Sequence, residues 1–424
     1  MTPTAAIDVL RDVALARDLR DPQAILAAIL DPKRRGSLYP YLHRLREVEP
    51  VLRTEQATGR PAWVLTRHAD VREALKHPDV RSDERGVEVF DVGPEGRCFV
   101  EMQRNTLLFL PPGKHDRVRG LISRAFTPRA VSEREGRIRA VLEGLIDRVE
   151  PQGRMDLVHD FAFQLPVVVI CEMLGVPTGD LPRFYAWAHD SSRRGEIGEV
   201  DAEIVRRGEE ATRGYTDYFL ELIEAHRREP RADLMTALIE ARDEDGGHLS
   251  DEDLVGSCYI LLQAGHGTTQ DLLGMGTLAL LRHPEQLELL RRAPAAIPTA
   301  VEEFLRYDTS VQISQRVADV PLELGGAKIP AGEVCVLLNG AANRDPAAFP
   351  APDRLDVRRT PNLHVSFGLG RHTCLGASLA RLELRSAFGT LLRRLPGLRL
   401  DESAPPSWRD SLFLRGLETL PVRF

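Results

Sequence analysis

The sequence predicts a mainly α-helical chain with a small β region. Apolar residues recur at helical spacing over most of its length, and one such stretch, residues 250–284, continues without interruption. At 1.5 Å per residue it spans nearly 50 Å, enough to cross the whole molecule. Strand signals are confined to short pieces at 54–66, 311–317 and the Val-Cys-Val run around Cys335. Hydrophobic residues make up 43%, ample for a large core, but aromatics are only 6%, so leucine, alanine and valine must build most of it. The length of 424 residues by itself suggests two or three domains.

Residues 39–53 read as a helix, through Leu42, Leu45 and Val48, running into an extended piece. Trp63 and Leu65 alternate in the next strand, and 54–59 joins the two as a hairpin. A short helix at 68–76 is stopped by Pro78. Residues 81–105 read as irregular, and a loop that long in a globular chain is usually functional or mobile. Pro111-Pro112-Gly113 opens a helix whose His115 and Arg119, four apart, share one face. By spacing alone that face reads as solvated and cationic. Helical patterns follow at 131–149, 156–174 and 181–227, with a kink or break expected at Pro166. Residues 181–210 are charged and poor in large apolar side chains, as in a mobile lid. A helix at 231–242 ends in the turn 243–247.

The long helix begins at Ser250-Asp251-Glu252-Asp253, a capping-box pattern. Five glycines weaken it, each costing about 1 kcal/mol relative to alanine, so its backbone is expected to approach something closely. Gly274-x-Gly276-x-x-Ala279 matches a dinucleotide fingerprint but lies mid-helix, which excludes that reading. Ile260, Gln263, Ala264, Gly267, Thr268 and Asp271 share one stripe. Thr268 in that position can bond back to the Ala264 carbonyl. His266 points off the stripe and reads as structural. Glu303 and Arg306, at i,i+3, can bond each other. Val311, Gln312, Ile313 and Ser314 alternate along an extended segment.

The remaining landmark is Phe367-Gly-Leu-Gly-Arg-His-Thr-Cys-Leu-Gly376. Cys374 lies between a glycine-punctuated loop and an amphipathic run from 375 to 395, where a helix N-terminus favours its thiolate. Gly368 and Gly370 allow the positive φ that turns loop N–H groups toward sulfur. Taken alone, such a cysteine reads as a small buried hydrophobe. The loop pattern, however, resembles the haem-binding loop of the cytochrome P-450 family at every fixed position. Ala264-Gly265-His266-Gly267-Thr268-Thr269 resembles that family's oxygen-binding groove, and Glu303-x-x-Arg306 its Glu-x-x-Arg pair. The resemblance runs from about residue 40 to the end.

It implies one triangular cytochrome P-450 domain over 39–424, with 1–38 as an N-terminal extension, rather than several domains. It implies that Cys374 ligates the iron of haem b and pushes electron density onto it. His115, Arg119, Arg316, His372 and Ala264 would contact the cofactor, the cations reaching its propionates. Thr268 would steady bound oxygen and relay protons. The family's usual acid is replaced by Gly267, and an acid–base group there is worth about 10²–10⁴ in rate; Asp271, one turn on, is the candidate substitute. The substrate pocket would be lined by Ile260, Gln263, Gly267, Val311, Gln312, Ile313, Phe413 and Leu414. Gln263, Gln312 and Ser314 point to an oxygenated or amide-bearing substrate. Glu303 and Arg306 would lock structurally onto 343–356.

The function implied is a haem-dependent monooxygenase that uses O2 on a small organic substrate, most like bacterial enzymes tailoring secondary metabolites. Two rivals stand beside it: an oxidase doing coupling, desaturation or peroxide-driven chemistry, favoured by Gly267, and a silent ligand- or carrier-binding haem protein. Ferredoxin and ferredoxin reductase are the implied electron donors, and Arg371, Arg381, Arg385, Arg393 and Arg394 form a possible steering patch. The net charge of −7 and the lack of a basic block argue against nucleic acid. No signal peptide or membrane-length apolar stretch is visible, so a cytoplasmic location is expected. Five scattered cysteines give neither a disulfide framework nor a zinc site.

Overall fold

The computed structural model describes residues 12–56, 59–82, 84–196, 201–243 and 246–424. It is mainly helical with small sheets, as the periodicity requires. The helices that frame the site are α1 (Pro112–Ser123), α2 (Glu135–Val149), α3 (Ala202–Arg228), α4 (Asp251–Arg282), α5 (Ile297–Tyr307) and α6 (Ala377–Arg394). A five-stranded sheet joins β1 (Val51–Glu55), β2 (Pro61–Leu65), β3 (Val80–Arg81), β4 (Ile313–Ala318) and β5 (Val334–Leu338) in the order β1-β2-β5-β4-β3.

The hairpin forms with Val51 opposite Leu65, and β2 then runs parallel to β5. Alternation along these strands separates two cores. Val51, Leu65, Cys335 and Leu337 pack with Val71, Ala74 and Leu75 of the helix His68–Lys76. Leu52, Val64 and Leu338 pack on the other face with Leu42, Leu45, Ile25 and Ile29. The described part of the segment before residue 39 is therefore built onto the sheet. Its residues 1–11 lie outside the described residues.

α4 is 32 residues long and buried along most of its length. Its capping box is complete: the Asp253 N–H donates to Ser250 Oγ at 3.1 Å, and the Ser250 N–H donates to Asp253 Oδ2 at 3.3 Å. Gly256 shows why the helix carries glycine, since a Cβ there would lie 2.2 Å from the Asn105 carbonyl oxygen. The helix is therefore the post against which the 81–105 segment is folded.

That segment departs from the irregular loop expected. It contains a helix, Arg97–Arg104, that turns Phe99, Val100 and Met102 inward. The Glu209 carboxylate on α3 accepts the N–H groups of Cys98 and Phe99, both at 2.9 Å. This cap comes from a distant element and leaves no local sequence signal. Pro166 also behaves differently. It sits in the first turn of the helix Gln164–Met173, after a π-helical turn at Val158–Ala162, so the break precedes the proline.

Of the 181–210 stretch read as a lid, the first part is a helix anchored by large aromatics, and residues 197–200 lie outside the described residues. Helix Leu181–Arg194 contributes Phe184 and Trp187 to a cluster with Tyr215, Tyr218 and Phe219 of α3. The aromatics are few in the whole chain but concentrated here. Gly214 lets Trp187 seat against α3, where a Cβ would meet its ring at 2.4 Å.

Candidate active site

Cys374 ends a loop whose backbone is turned by Gly368 at φ 63° and Gly370 at φ 70°. A Cβ at Gly370 would meet the Leu75 carbonyl oxygen at 2.7 Å, so both conformation and space demand glycine. The Cys374 N–H donates to the Phe367 carbonyl at 2.8 Å, which closes the loop. α6 begins at Ala377, so the cysteine precedes the helix rather than opening it. The effect on sulfur is similar. The N–H groups of Gly376 and Ala377, with Arg119 and Arg381 nearby, favour the thiolate, although burial is the larger influence and pushes the thiol up. Cys171, Cys258 and Cys335 are packed in cores, whereas the Cys374 side chain is accessible. Protein nonetheless surrounds the sulfur closely enough for burial to dominate, so its accessible side opens into a cavity recessed in the protein body. Beside it, Gly376 leaves open space where a Cβ would sit.

Cationic and imidazole groups converge on this cavity. Arg119 on α1 donates to the Thr373 carbonyl at 2.6 Å, and its charge acts on Cys374. His372 lies 4.5 Å from His115, ring centre to ring centre. Burial, then the charges of Arg316, His115 and Arg119, push the His372 imidazole down to about 3, so it is neutral. Burial alone pulls the Arg316 guanidinium down to about 10, and among the described residues it bonds to the Gln315 carbonyl at 2.8 Å. His115 Nε2 is buried without a partner while Nδ1 faces Asp116 at 3.1 Å. Four donors thus meet with too few acceptors among the described residues. Such a set fits the carboxylates of an anionic group held beside the sulfur. The residues present therefore fit a haem, with a thiolate for the metal and donors for two propionates.

α4 supplies another wall. Ala264 is exposed in the middle of this otherwise buried helix, and the Thr268 hydroxyl donates to the Ala264 carbonyl at 2.9 Å. Ile260 is buried, and Gly267 faces internal space. Gln263 Nε2 is buried and unpartnered. His266 is turned away, its Nδ1 donating to the Leu262 carbonyl at 2.9 Å, and burial pushes its pKa down to about 4.

Three expected roles change. Asp271 is 1% exposed and committed on both oxygens: Oδ1 pairs with Arg409, and Oδ2 accepts from Ser310 Oγ at 2.7 Å. That takes it out of the free proton relay expected for it. Gln312 donates to the Thr309 carbonyl at 2.7 Å and is 2% exposed, so it is a structural strut rather than a pocket group. Ser314 Oγ accepts from Asn339 at 2.9 Å. Val311, Ile313, Phe413 and Leu414 are half-buried; Val311 bridges Leu414, and the Gln312 N–H donates to the Phe413 carbonyl at 3.1 Å. Arg409 and Ser310 were invisible to local reasoning because they meet Asp271 only through the fold.

Glu303 and Arg306 form a two-point ion pair, both contacts 2.8 Å, with side chains fully buried. Arg306 also donates to the Asn343 carbonyl at 3.0 Å and the Pro352 carbonyl at 2.8 Å. Arg359 joins Glu303 at 3.1 Å. This network fastens α5 to the segment leading into the cysteine loop. The arginine patch is partly spent. Arg381 binds Glu302 at 2.7 Å, and Arg393 and Arg394 are tied to Glu143 on α2, with Arg394 also reaching Asp147 at 2.8 Å.

The comparisons agree with this geometry. The family described as Cytochrome P450 matches residues 199–293 and 297–413. The 6-deoxyerythronolide B hydroxylase of Saccharopolyspora erythraea is 40% identical over 388 residues, covering 89% of this chain and 94% of that protein. The vitamin D(3) 25-hydroxylase of Pseudonocardia autotrophica is 41% identical over 390 residues, covering 91% and 93%. Among solved structures, P450BioI in complex with a fatty-acyl carrier protein superposes with a TM-score of 0.86 at 35% identity, covering 93% of this chain and 99% of that one. The polyketide synthase cytochrome P450 PksS of Bacillus subtilis gives 0.83 at 36%, covering 92% and 97%. By sequence and by structure, the chain belongs to the cytochrome P450 family.

Proposed function

We propose that this haem-thiolate monooxygenase hydroxylates or otherwise oxidises a small organic secondary metabolite, with haem b as cofactor and ferredoxin and its reductase as electron donors, in the cytoplasm. The observation that carries the reading is the convergence of His115, Arg119, Arg316 and His372 beside the Cys374 sulfur. Cys374 would hold the iron and this set of hydrogen-bond donors the propionates, with Ala264 against the cofactor. When bound, the haem supplies the activation of O2 that makes an unactivated C–H bond reactive. Relatives whose names specify a polyketide or steroid-like substrate support the substrate class.

The chain's own residues do the remaining work. Thr268 donates its proton to the Ala264 carbonyl, so its lone pairs face outward and accept from a water or substrate hydroxyl. Through that hydroxyl it holds a proton donor in place. Ile260, Val311, Ile313, Phe413 and Leu414 supply apolar surface that excludes bulk water and orients the substrate. Gly267 offers no acid, so proton supply depends on water. No helix among the described residues is long and apolar enough to cross a membrane.

Gly267 also supports the second reading, an oxidase using peroxide or performing coupling. Turnover of a polyketide lactone by the haem-loaded protein separates the readings. Product formed with a surrogate ferredoxin, reductase and NADPH supports the monooxygenase, and product formed with peroxide alone supports the oxidase. Binding without either reaction leaves the silent carrier. Gly267→Glu is expected to raise the rate of ferredoxin-driven product formation about a hundredfold, the low end of what an acid–base group contributes.

A further inference from the structure

We propose that Gln263 is a specificity-determining residue, taking a neutral carbonyl or hydroxyl oxygen of the substrate in the space beside Gly267. The inference rests on the monooxygenase reading above and names the substrate chemistry of that same pocket. Gln263 Nε2 is buried and has no hydrogen-bond partner among the described residues. Buried donors in folded proteins are nearly always satisfied, so an acceptor belongs there.

Gly267 lies one turn along α4 on the same face. A Cβ at Gly267 would meet nothing within 4 Å, although the residue itself is buried, so the open space is internal. Gln263 and Gly267 are thus neighbours on one face of α4, next to that space. The other polar groups expected in the pocket have partners elsewhere. Gln312 donates to the Thr309 carbonyl at 2.7 Å, Ser314 Oγ accepts from Asn339 at 2.9 Å, and Thr268 donates to the Ala264 carbonyl at 2.9 Å. Ser314 keeps its O–H to donate at a half-buried site, whereas the Gln263 amide is the buried donor of this set that lacks a partner among the described residues.

Charge decides what kind of oxygen fits. Arg409, the cation near this part of α4, is neutralised by Asp271, and His266 is neutral and turned to the Leu262 carbonyl. Neither of these groups offers a free positive charge to balance a carboxylate beside Gln263, so a neutral acceptor is the complementary partner. A lactone carbonyl, a ketone or a hydroxyl meets that requirement; a saturated hydrocarbon leaves the amide unpaired.

The test titrates haem-loaded protein with a 16-membered lactone, oxacyclohexadecan-2-one, and with cyclohexadecane, following the substrate-induced spin-state shift. The wild type is expected to bind the lactone about tenfold tighter than the hydrocarbon, equivalent to about 1.4 kcal/mol. In Gln263→Leu the ratio is expected to fall to near one, with hydrocarbon affinity retained. Gly267→Val, which fills the space, is expected to lower the lactone's affinity more than the hydrocarbon's. A ratio near one in the wild type, as when water satisfies the amide, overturns the proposal. So does a lactone preference that survives in Gln263→Leu. The thiolate-type carbon monoxide band reads haem ligation independently, so its absence refutes the monooxygenase reading rather than this subsite.

Discussion

Glu383 sits on the buried face of α6 at 2% exposure, and burial pushes its carboxyl up to about 8. No neighbouring charge offsets that burial. A carboxyl whose folded pKa exceeds its unfolded one stabilises the fold fully only below the ordinary carboxylate value. That contribution is lost as pH rises from there through about 8. Glu383→Gln keeps the shape and removes the ionisation. Its melting temperature is expected to match the wild type near pH 5 and to exceed it increasingly toward pH 8. Thermal melts at both ends of that window check this, and a difference independent of pH would show the carboxyl to be neutralised in another way. The same residue scale shows what the sequence could disclose. Cys374, Gly368 and Gly370 were legible because a local backbone dictates their chemistry. Gln312 and Ser314 were not. Alternation says which side of a strand a residue faces; it does not show that the Gln312 side chain folds back on the nearby Thr309 carbonyl, nor that Ser314 meets Asn339 from 25 residues away.

Between elements, the clamp on α4 is the clearest case of structure hidden from sequence. Asp271 joins the long helix to Arg409 at the C-terminal hairpin of Ser407–Trp408 and Leu417–Thr419, and to Ser310 ahead of β4. A Cβ at Gly416 would overlap both partners, at 2.2 Å from Asp271 Oδ1 and 2.4 Å from Arg409 Nη2, so the hairpin gives up a side chain to admit the pair. Burial raises the Asp271 carboxyl while Arg409 pulls it down. Arg409→Met removes the opposing charge and leaves the carboxylate buried alone. It is expected to cost about 3–5 kcal/mol, as for other broken buried pairs. Asp271→Leu combined with Arg409→Met should recover much of the loss. The single variant should also lose stability more steeply than wild type as pH rises above the ordinary carboxylate range, because its carboxyl is raised further. Chemical denaturation of the two variants checks the pair; equal loss in both would mean that packing of Arg409, not its charge, holds the hairpin. The length of α4 and its cap were readable from spacing and from Ser250–Asp253. The Arg97–Arg104 helix was not, since Glu209 caps it from α3.

Over the whole molecule, a chain carrying −7 repels an acidic electron donor unless a local patch overrides the net field. The structure sorts the five arginines grouped around and after Cys374: Arg371, ahead of the cysteine, faces Asp116 at 3.5 Å. Arg393 and Arg394 meet Glu143, Asp147 and Glu150, three acids against two bases, so that corner of α6 is a clamp to α2 with no positive surplus. Arg381 and Arg385 share Glu302, at 2.7 Å and 4.0 Å, which leaves one positive charge on the side nearer the cysteine loop. Only that end of α6 has charge to spare for docking. Arg385→Glu is therefore expected to slow reduction by a ferredoxin about tenfold at low ionic strength, the lower bound of electrostatic steering. The difference should shrink as salt is raised and screening shortens the field. Arg393→Glu is expected to lower the melting temperature slightly and leave the rate unchanged, because its partners are exposed acids of modest worth. Dithionite reduction should be the same for both variants and the wild type. Stopped-flow reduction of each at two salt concentrations makes the comparison. Equal slowing by Arg385→Glu and Arg393→Glu would assign the effect to overall charge and remove the proximal patch from the docking surface.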